Sequence, residues 1–394
     1  MTTDIGIGTR VASRRKLAGL TQAQLAQLTH YSLSTVRAVE QGREPASPAF
    51  TAAMARALKV EPEELNGLPY RDTIDQGGPL EGLSDLRSIL SEGQYVQPLE
   101  PESLDLLTVE MDAVDLVYRN DKGRQALARL PMLLRQMHGA VREARSDADR
   151  ARAYTLLSAG YVTAERLCRR FGYMSLCTPA VDRLEWVASL ADDPLYVAQA
   201  KVKRARVLMY LDATDVSESL VERGLDDVSG DGEAATAVRG YAHLAGAIAA
   251  ARGRNPDLAR DHIAEARKLA ERVNGESELY GTLFGKGNVG IHACAVEMEA
   301  GDPARAARDG SALKLPARIA PPRAGHHWQD TARAWLLAGE PTKALGALSK
   351  ARKAAPQQTR LHPSVRETLV GVAESERRRN DSLSNFATWV GLKL

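Results

Sequence analysis

RVASRRKLAGLTQAQLAQLTHYSLSTVRAVEQGREPASPAFTAAMARALKVEPEEL, residues 10–65, divides into short helical pieces at legible stops. Residues 8–18 read as a helix with Val11 and Leu17 inward, ended by Gly19. Thr21, with Gln24 three residues on, has the pattern of a capping box, so a second helix starts there. Ala23, Leu25, Ala26 and Leu28 supply its apolar side. Thr29-His30-Tyr31 is a break, after which Ser32 caps a third helix through Glu40 and Gly42 ends it. Val36 and Val39 face the core. Residues 46–58 predict a fourth helix, and Pro62-Glu63-Glu64-Leu65 start a fifth.

Two short helices joined by a tight turn make a helix-turn-helix. The second must enter a DNA major groove about 12 Å wide, so its outer face needs small or extended polar side chains. Leu33, Ser34, Arg37 and Ala38 fill that face. The charge agrees. The 394-residue chain carries a net +2, but residues 1–60 hold eight basic and three acidic side chains, a net of +5. A basic head on a faintly acidic body suits phosphate contact by the head alone.

The stretch resembles the Xre/Cro/phage-repressor family through G-L-T-Q-x-x-L-A (Gly19 to Ala26), S-x-S-T-V (Ser32 to Val36), V-E-x-G (Val39 to Gly42) and A-x-A-L-x-V (Ala55 to Val60). The resemblance implies a lambda-repressor-like DNA-binding domain over residues 1–66. It implies that Gln22 and Arg43 grip the DNA backbone and that Leu33, Ser34 and Ala38 read bases, with Ser32 and Arg37 in the same set. It also implies a buried ion pair between Arg15 and Glu40. Leu33 and Ala38 are apolar where Gln or Arg is common, so they read thymine methyls and leave the polar readout to Ser34, Arg37 and DNA shape. The alternative is a helix-turn-helix kept for protein contacts only.

Residues 67–100 read as a Gly- and Pro-punctuated linker with a short helix near 80–92. From residue 101 to 394 nearly every segment has helical period and strand-like alternation is absent, so the fold class is all-α. The body also repeats. Asn255-Pro256-x-x-Ala259, Asp302-Pro303-x-x-Ala306 and Glu340-Pro341-x-x-Ala344 share one plan, each preceded by a glycine, at spacings of 47 and 38 residues. Proline suits a first helical position, Asn or Asp suits the cap before it, and Glu340 suits it less. The pattern is similar to tetratricopeptide repeats, whose period is about 34. It predicts about five helix pairs between 148 and 363, a capping helix from Ser364, and a curved solenoid with a concave face.

No apolar run approaches the roughly 20 residues of a membrane span, and the N-terminus lacks the pattern of a signal peptide, so a cytoplasmic, membrane-free protein is expected. Cys168, Cys177 and Cys294 have no metal-ligand spacing and read as buried thiols, with a redox pair of the first two as the alternative. GKGNVG (Gly285 to Gly290) matches a dinucleotide fingerprint in letters but has helical flanks where a strand is required. The glycines at 281, 285 and 287 either allow close helix packing or clear room for a ligand. His326-His327 is weighed as a metal pair against a packing feature. No hydrolase elbow, metalloprotease or Walker motif is present, so neither an enzyme nor a cofactor or metal is expected.

The head-plus-solenoid architecture resembles the Rgg/PlcR-type peptide-responsive regulators of bacteria, in an Ala- and Arg-rich actinomycete version. The resemblance implies a homodimer on a palindromic double-stranded operator, with a peptide or small-molecule effector in the solenoid groove. Polar residues on the first helix of each pair are the groove candidates: Lys203, Arg206, Asn288, His292, His327, Asp330 and Arg333. Dimerisation is assigned to the C-terminal repeats. The competing reading keeps the DNA-binding head and gives the body a protein partner, as in an antitoxin or developmental repressor.

Overall fold

The head is built from α1 (Ile7–Leu17), α2 (Gln22–Thr29), α3 (Leu33–Glu40), α4 (Pro48–Leu58) and α5 (Pro62–Asn66). The structure is a computed structural model describing residues 6–60, 62–66, 80–375 and 381–392; the linker reading over 67–79 lies outside them. Side chains set each helix start. Thr21 Oγ1 accepts from Gln24 N at 3.2 Å while Gln24 Oε1 accepts from Thr21 N at 2.8 Å, closing the capping box. Ser32 accepts from Thr35 N at 3.0 Å, and Ser47 accepts from Phe50 N at 2.8 Å, so the fourth helix begins at Pro48 rather than at 46.

Val11, Leu25, Val36, Met54 and Leu65 are fully buried between these helices. Three inward assignments are corrected. Leu17 is 79% and Leu28 55% exposed, and Ala23 is exposed too. The buried face of α2 is Leu25, Ala26 and Thr29; at about 100° per residue, Leu28 and Ala23 fall more than a quarter-turn from its centre.

The body begins with α6 (Leu83–Glu92) and a pair, α7 (Leu104–Arg119) and α8 (Gly123–Glu143). Five further antiparallel pairs follow: α9 (Asp147–Arg170) with α10 (Met174–Ala188), α11 (Pro194–Met209) with α12 (Thr214–Asp227), α13 (Glu233–Arg252) with α14 (Pro256–Ala270), α15 (Lys286–Glu299) with α16 (Pro303–Ala312), and α17 (Pro321–Leu337) with α18 (Pro341–Ala354). Three helices close the array where one was expected: α19 (Pro356–Leu361), α20 (Pro363–Ser375) and α21 (Asp381–Val390). The molecule is all-α, a helix-turn-helix head on a tetratricopeptide-like body.

The repeat starts follow their chemistry. Asn255 accepts from Leu258 N at 3.2 Å and Asp302 from Arg305 N at 2.9 Å, whereas Glu340 makes no such bond. Ala259, Ala306 and Ala344 are all buried against the preceding helix. Gly301 and Gly339 take the left-handed conformation, but at the first repeat Gly253 does not; Arg254 takes it instead, with φ 64°.

The 47-residue spacing also has a structural cause. Between α14 and α15 lies an insertion carrying the only strands among the described residues, β1 (Glu276–Ser277) and β2 (Phe284–Gly285), paired antiparallel. The absence of strands is corrected to that extent. The insertion folds back to the first repeats. Tyr280 packs on Tyr196 at 4.7 Å between ring centroids and donates to Asp193 Oδ2 at 2.8 Å, its carbonyl accepts from Gln199, and Glu278 pairs with Arg119.

The ends of the array also meet. Asp121, in the turn between α7 and α8, accepts from Gln357 N at 2.7 Å and Gln358 N at 3.1 Å at the start of α19. Arg124 N donates to Gln357 Oε1 at 3.0 Å, and Arg170 reaches both Asp121 and Gln358.

Candidate DNA-binding face and inner groove

Rigidity of the head centres on Glu40. Its carboxylate accepts from Arg15 Nε at 2.6 Å and Arg15 Nη2 at 2.9 Å, and the Arg15 side chain is 10% exposed. Gln22 Nε2 donates to the same carboxylate at 2.8 Å, which ties the start of α2 to α3. Gln22 is therefore engaged inside the head in this structure. Arg10 and Arg14 are engaged as well, with Leu65 O and Glu64. Lys16, Arg37, Arg43 and Lys59 remain exposed.

On α3, Ser32, Ser34 and Arg37 are exposed and Leu33 is half-buried. Ala38 needs correction as a base reader. It is 7% exposed, and its carbonyl accepts from Arg43 N and Glu44 N in the turn that follows, so its methyl group faces the head rather than a groove. The outer face of α3 is thus Ser32, Ser34 and Arg37, with Arg43 beyond its end.

The head rests on the body. Arg56 pairs with Asp212 at 2.5 Å, Arg254 Nη2 donates to His30 O at 2.8 Å, and Ile7 N donates weakly to Glu367 at 3.4 Å. Asp212 and Arg254 sit at left-handed turns of two successive repeats. A cleft of about 440 Å³ lies at this boundary, bounded by His30, Tyr31, Arg56, Asp212, Arg252 and Arg254 among others.

Of the groove candidates, two are structural. Lys203 is 2% exposed and pairs with Glu165 at 2.7 Å; it ties α11 to α9. His327 is 1% exposed and its Nε2 lies 2.9 Å from Gly310 O on α16. Both fall on helices that face the groove, but burial with a partner removes them from it. Asp330 faces His326 at 3.5 Å, and Arg333 has a buried Nε with no partner.

Arg206, Asn288 and His292 do converge, around a residue that sequence reading missed. Arg323, in the first turn of α17, donates to Asn288 Oδ1 at 2.5 Å and lies 3.5 Å from His292 Nδ1. Arg206 donates to Tyr241 at 2.5 Å. A cavity of about 40 Å³ is bounded by Arg206, Tyr210, Tyr241, Arg252, His292 and apolar side chains of α11 and α13. The potential here is positive. Burial alone would raise the Tyr210 phenol, yet Arg169, Arg252 and Arg206 lower it; Tyr241 is lowered in the same way by Arg206 and Lys203. Burial, with Arg206 alongside, lowers Arg323 to about 10. Burial and Arg323 drive His292 well below its ordinary value, so it is neutral. The only signal for Arg323 in the sequence is its place one turn into a first helix, hidden by an atypical start at Ala320-Pro321-Pro322.

The remaining motifs resolve into packing. At GKGNVG the amides of Gly287 and Asn288 donate to the Glu276 carboxylate at 2.7 and 3.2 Å, so the chain's own acid fills the helix start where a dinucleotide phosphate would sit. The segment before it is the two-residue β2 rather than a helix. A Cβ at Gly285 would meet Gly275 O, and one at Gly287 would meet Pro316, so both serve close approach. Cys168 and Cys177 are buried, with the Cys168 thiol pushed up by burial, and Cys294 is half-buried. Among the described residues no His/Cys/Asp/Glu group could hold a metal, and no helix is long and apolar enough to cross a membrane.

Comparison with known proteins bears on the head. Residues 7–68 match the family described as a helix-turn-helix domain. No curated protein matches the chain. Among solved structures, Bacillus thuringiensis PlcR in complex with the peptide PapR7 and DNA is 13% identical, with 89% of this chain and 94% of that chain covered, at a TM-score of 0.29. BtubC (BKLC) from P. vanneervenii is 15% identical over 64% of this chain and 94% of that chain, TM-score 0.37, and the P58(IPK) TPR domain 16% identical over 94% and 99%, TM-score 0.21. These superpositions are loose, and the body is described by its own helix pairs. A helix-turn-helix domain is a binding module, and the match covers the head alone.

Proposed function

We propose that this chain is a sequence-specific DNA-binding transcription regulator that works as a homodimer and answers to an effector held inside its helical-repeat body. The observation that carries the DNA-binding part is the exposed face of α3: Ser32, Ser34 and Arg37 stand outward, with Arg43 beyond, in a segment (residues 1–60) of net charge +5. Arg37 at that position suits a guanine edge or a phosphate, and the Arg15–Glu40 pair keeps α3 rigid against α1. One such head makes a small interface, so two heads on a palindromic site with half-sites about 34–36 Å apart, or a multiple, give the affinity a regulator needs. An effector shifts that equilibrium only by binding one body shape better than another.

The test is genomic binding in the native host followed by a salt titration on the best site. A palindromic site with steeply salt-dependent affinity supports the reading. No enriched site from an abundant, folded protein overturns it and leaves the head as a protein-contact module.

A protein partner on the body is the second reading, favoured by one observation. Leu106, Val109 and Leu116 are each more than half exposed along one face of α7. Capture of a stable complex through that face, with DNA binding indifferent to small molecules, would select it.

A further inference from the structure

Four features of the inner cavity point to one ligand chemistry. First, Arg206 and Arg323 take part in no ion pair among the described residues; their partners are the Tyr241 hydroxyl and the Asn288 amide oxygen, while His292 Nδ1, 3.5 Å from Arg323, donates to Asn288 O. Second, the nearby Arg252 spends part of its guanidinium on Glu299 at 3.4 Å, while its Nε and Nη1 are buried without a partner, as is Arg323 Nε. Third, no carboxylate among the described residues contacts Arg206 or Arg323: Glu165 is held by Lys203 and Arg169, Asp330 lies 3.5 Å from His326, and Glu276 accepts the amides at the start of α15. Fourth, His292 beside them is held well below its ordinary value by burial and by Arg323, so it stays neutral and does not add a competing cation. Half-buried cations with no carboxylate in contact, and buried donors without acceptors, are held at a free-energy cost that a bound anion would relieve.

We infer that the cavity bounded by Arg206, Tyr210, Tyr241, Arg252 and His292, with Arg323 beside it, seats an oxyanion, the phosphate or carboxylate group of the effector. Guanidinium forks match such groups with paired N–H donors. The size agrees. About 40 Å³ holds roughly three water-sized spheres, enough for one oxyanion group and too little for a whole effector, the rest of which lies along the groove. The inference rests on the effector-controlled reading above and names the chemistry of that effector. The site also has a route to the head: Arg252 borders both this cavity and the cleft beneath the head, where Tyr31 and His30 lie.

The experiment uses the full-length protein without DNA. Sodium phosphate and sodium acetate are titrated at constant ionic strength against sodium chloride, followed by calorimetry and thermal unfolding. The wild type is compared with Arg206→Gln, Arg206→Lys, Arg323→Gln and the control Arg305→Gln, on exposed α16, with helical content checked by circular dichroism. The expected result is saturable binding of phosphate or acetate that is absent with chloride. It should weaken at least tenfold in Arg206→Gln and Arg323→Gln, fall less in Arg206→Lys, and persist in Arg305→Gln. Saturation by phosphate alone assigns a phosphoryl group, and saturation by acetate alone a carboxylate. If the wild type shows only an unsaturable rise shared with chloride, or binds equally in all variants, the inference is overturned. Should Arg206→Gln and Arg323→Gln fail to fold, wild-type saturation and the Arg206→Lys comparison still decide it. A protein that binds its operator yet takes up no oxyanion sinks this inference and leaves the DNA-binding reading standing.

Discussion

At the scale of single residues, Glu40 and Arg37 separate stability from recognition. Glu40 is the common acceptor for Arg15 and Gln22 and is almost fully buried, so Glu40→Ala strands a buried guanidinium. The expected loss is about 3 kcal/mol of head stability, read by chemical denaturation. Arg37 is exposed and holds nothing in the fold, so Arg37→Ala should unfold like the wild type. It should cost about 1–3 kcal/mol at one operator position if Arg37 reads a base, and uniformly across sequences if it grips a phosphate. Comparing the variant's affinity over a set of mutated operators distinguishes the two. Residue identity alone was a poor guide to burial in the body. Lys203 and Arg206 are three apart on one helix of one character, yet Lys203 is sealed against Glu165 and Arg206 lines the cavity. The difference depends on a carboxylate 38 residues earlier in the chain, which helical period cannot register.

At the scale of elements, what was legible was punctuation. The capping box at Thr21, the serine caps and the Asn-Pro and Asp-Pro repeat starts are local chemistry, and the helices begin where that chemistry puts them. Asn255→Ala and Asp302→Ala should each cost about 1 kcal/mol in thermal unfolding, and Glu340→Ala a few tenths, because only the first two accept a backbone N–H. The insertion between α14 and α15 was invisible because its placement is set by distant partners: Glu278 finds Arg119, and the Phe284 ring fills a space over Gly240 on α13. A Cβ on Gly240 would lie 2.1 Å from that ring, so Gly240→Ala should destabilise by about 1–3 kcal/mol or expel the insertion. Differential scanning calorimetry reads the first outcome, and proteolysis within residues 271–285 the second.

At the scale of the whole molecule, acid should loosen the body before the head. His138 on α8 and His243 on α13 are both lowered to about 4 by burial, and His262, 3.0 Å from His243, is lowered as well. A histidine whose folded value lies below its unfolded value of about 6.5 binds fewer protons when folded. Its contribution is therefore intact above about pH 6.5 and is lost as pH falls towards 4, at up to ~1.4 kcal/mol per pH unit for each group. A melting temperature that is flat from pH 7 down to pH 5 would contradict this. Dimer formation belongs to the same scale. Because α20 and α21 bury Leu369, Val372, Leu383 and Phe386 against α17 and α18, removing them would damage the fold. The exposed α7 face is the gentler place to probe: Val109→Glu should lower the mass measured by sedimentation if copies pair there, and an unchanged mass returns the interface to the C-terminal repeats.

The contact between Asp121 and the start of α19 changes what kind of spring the body is. An open coil yields to a small push anywhere by altering its pitch, so its response to an effector is graded. A coil clasped end to end carries load around its circumference like a hoop. It holds its diameter until the clasp lets go, and then it opens at once. Asp121, with Arg124 and Arg170 beside it, would then set the threshold of the response, and loosening that clasp would trade a snap for a slide.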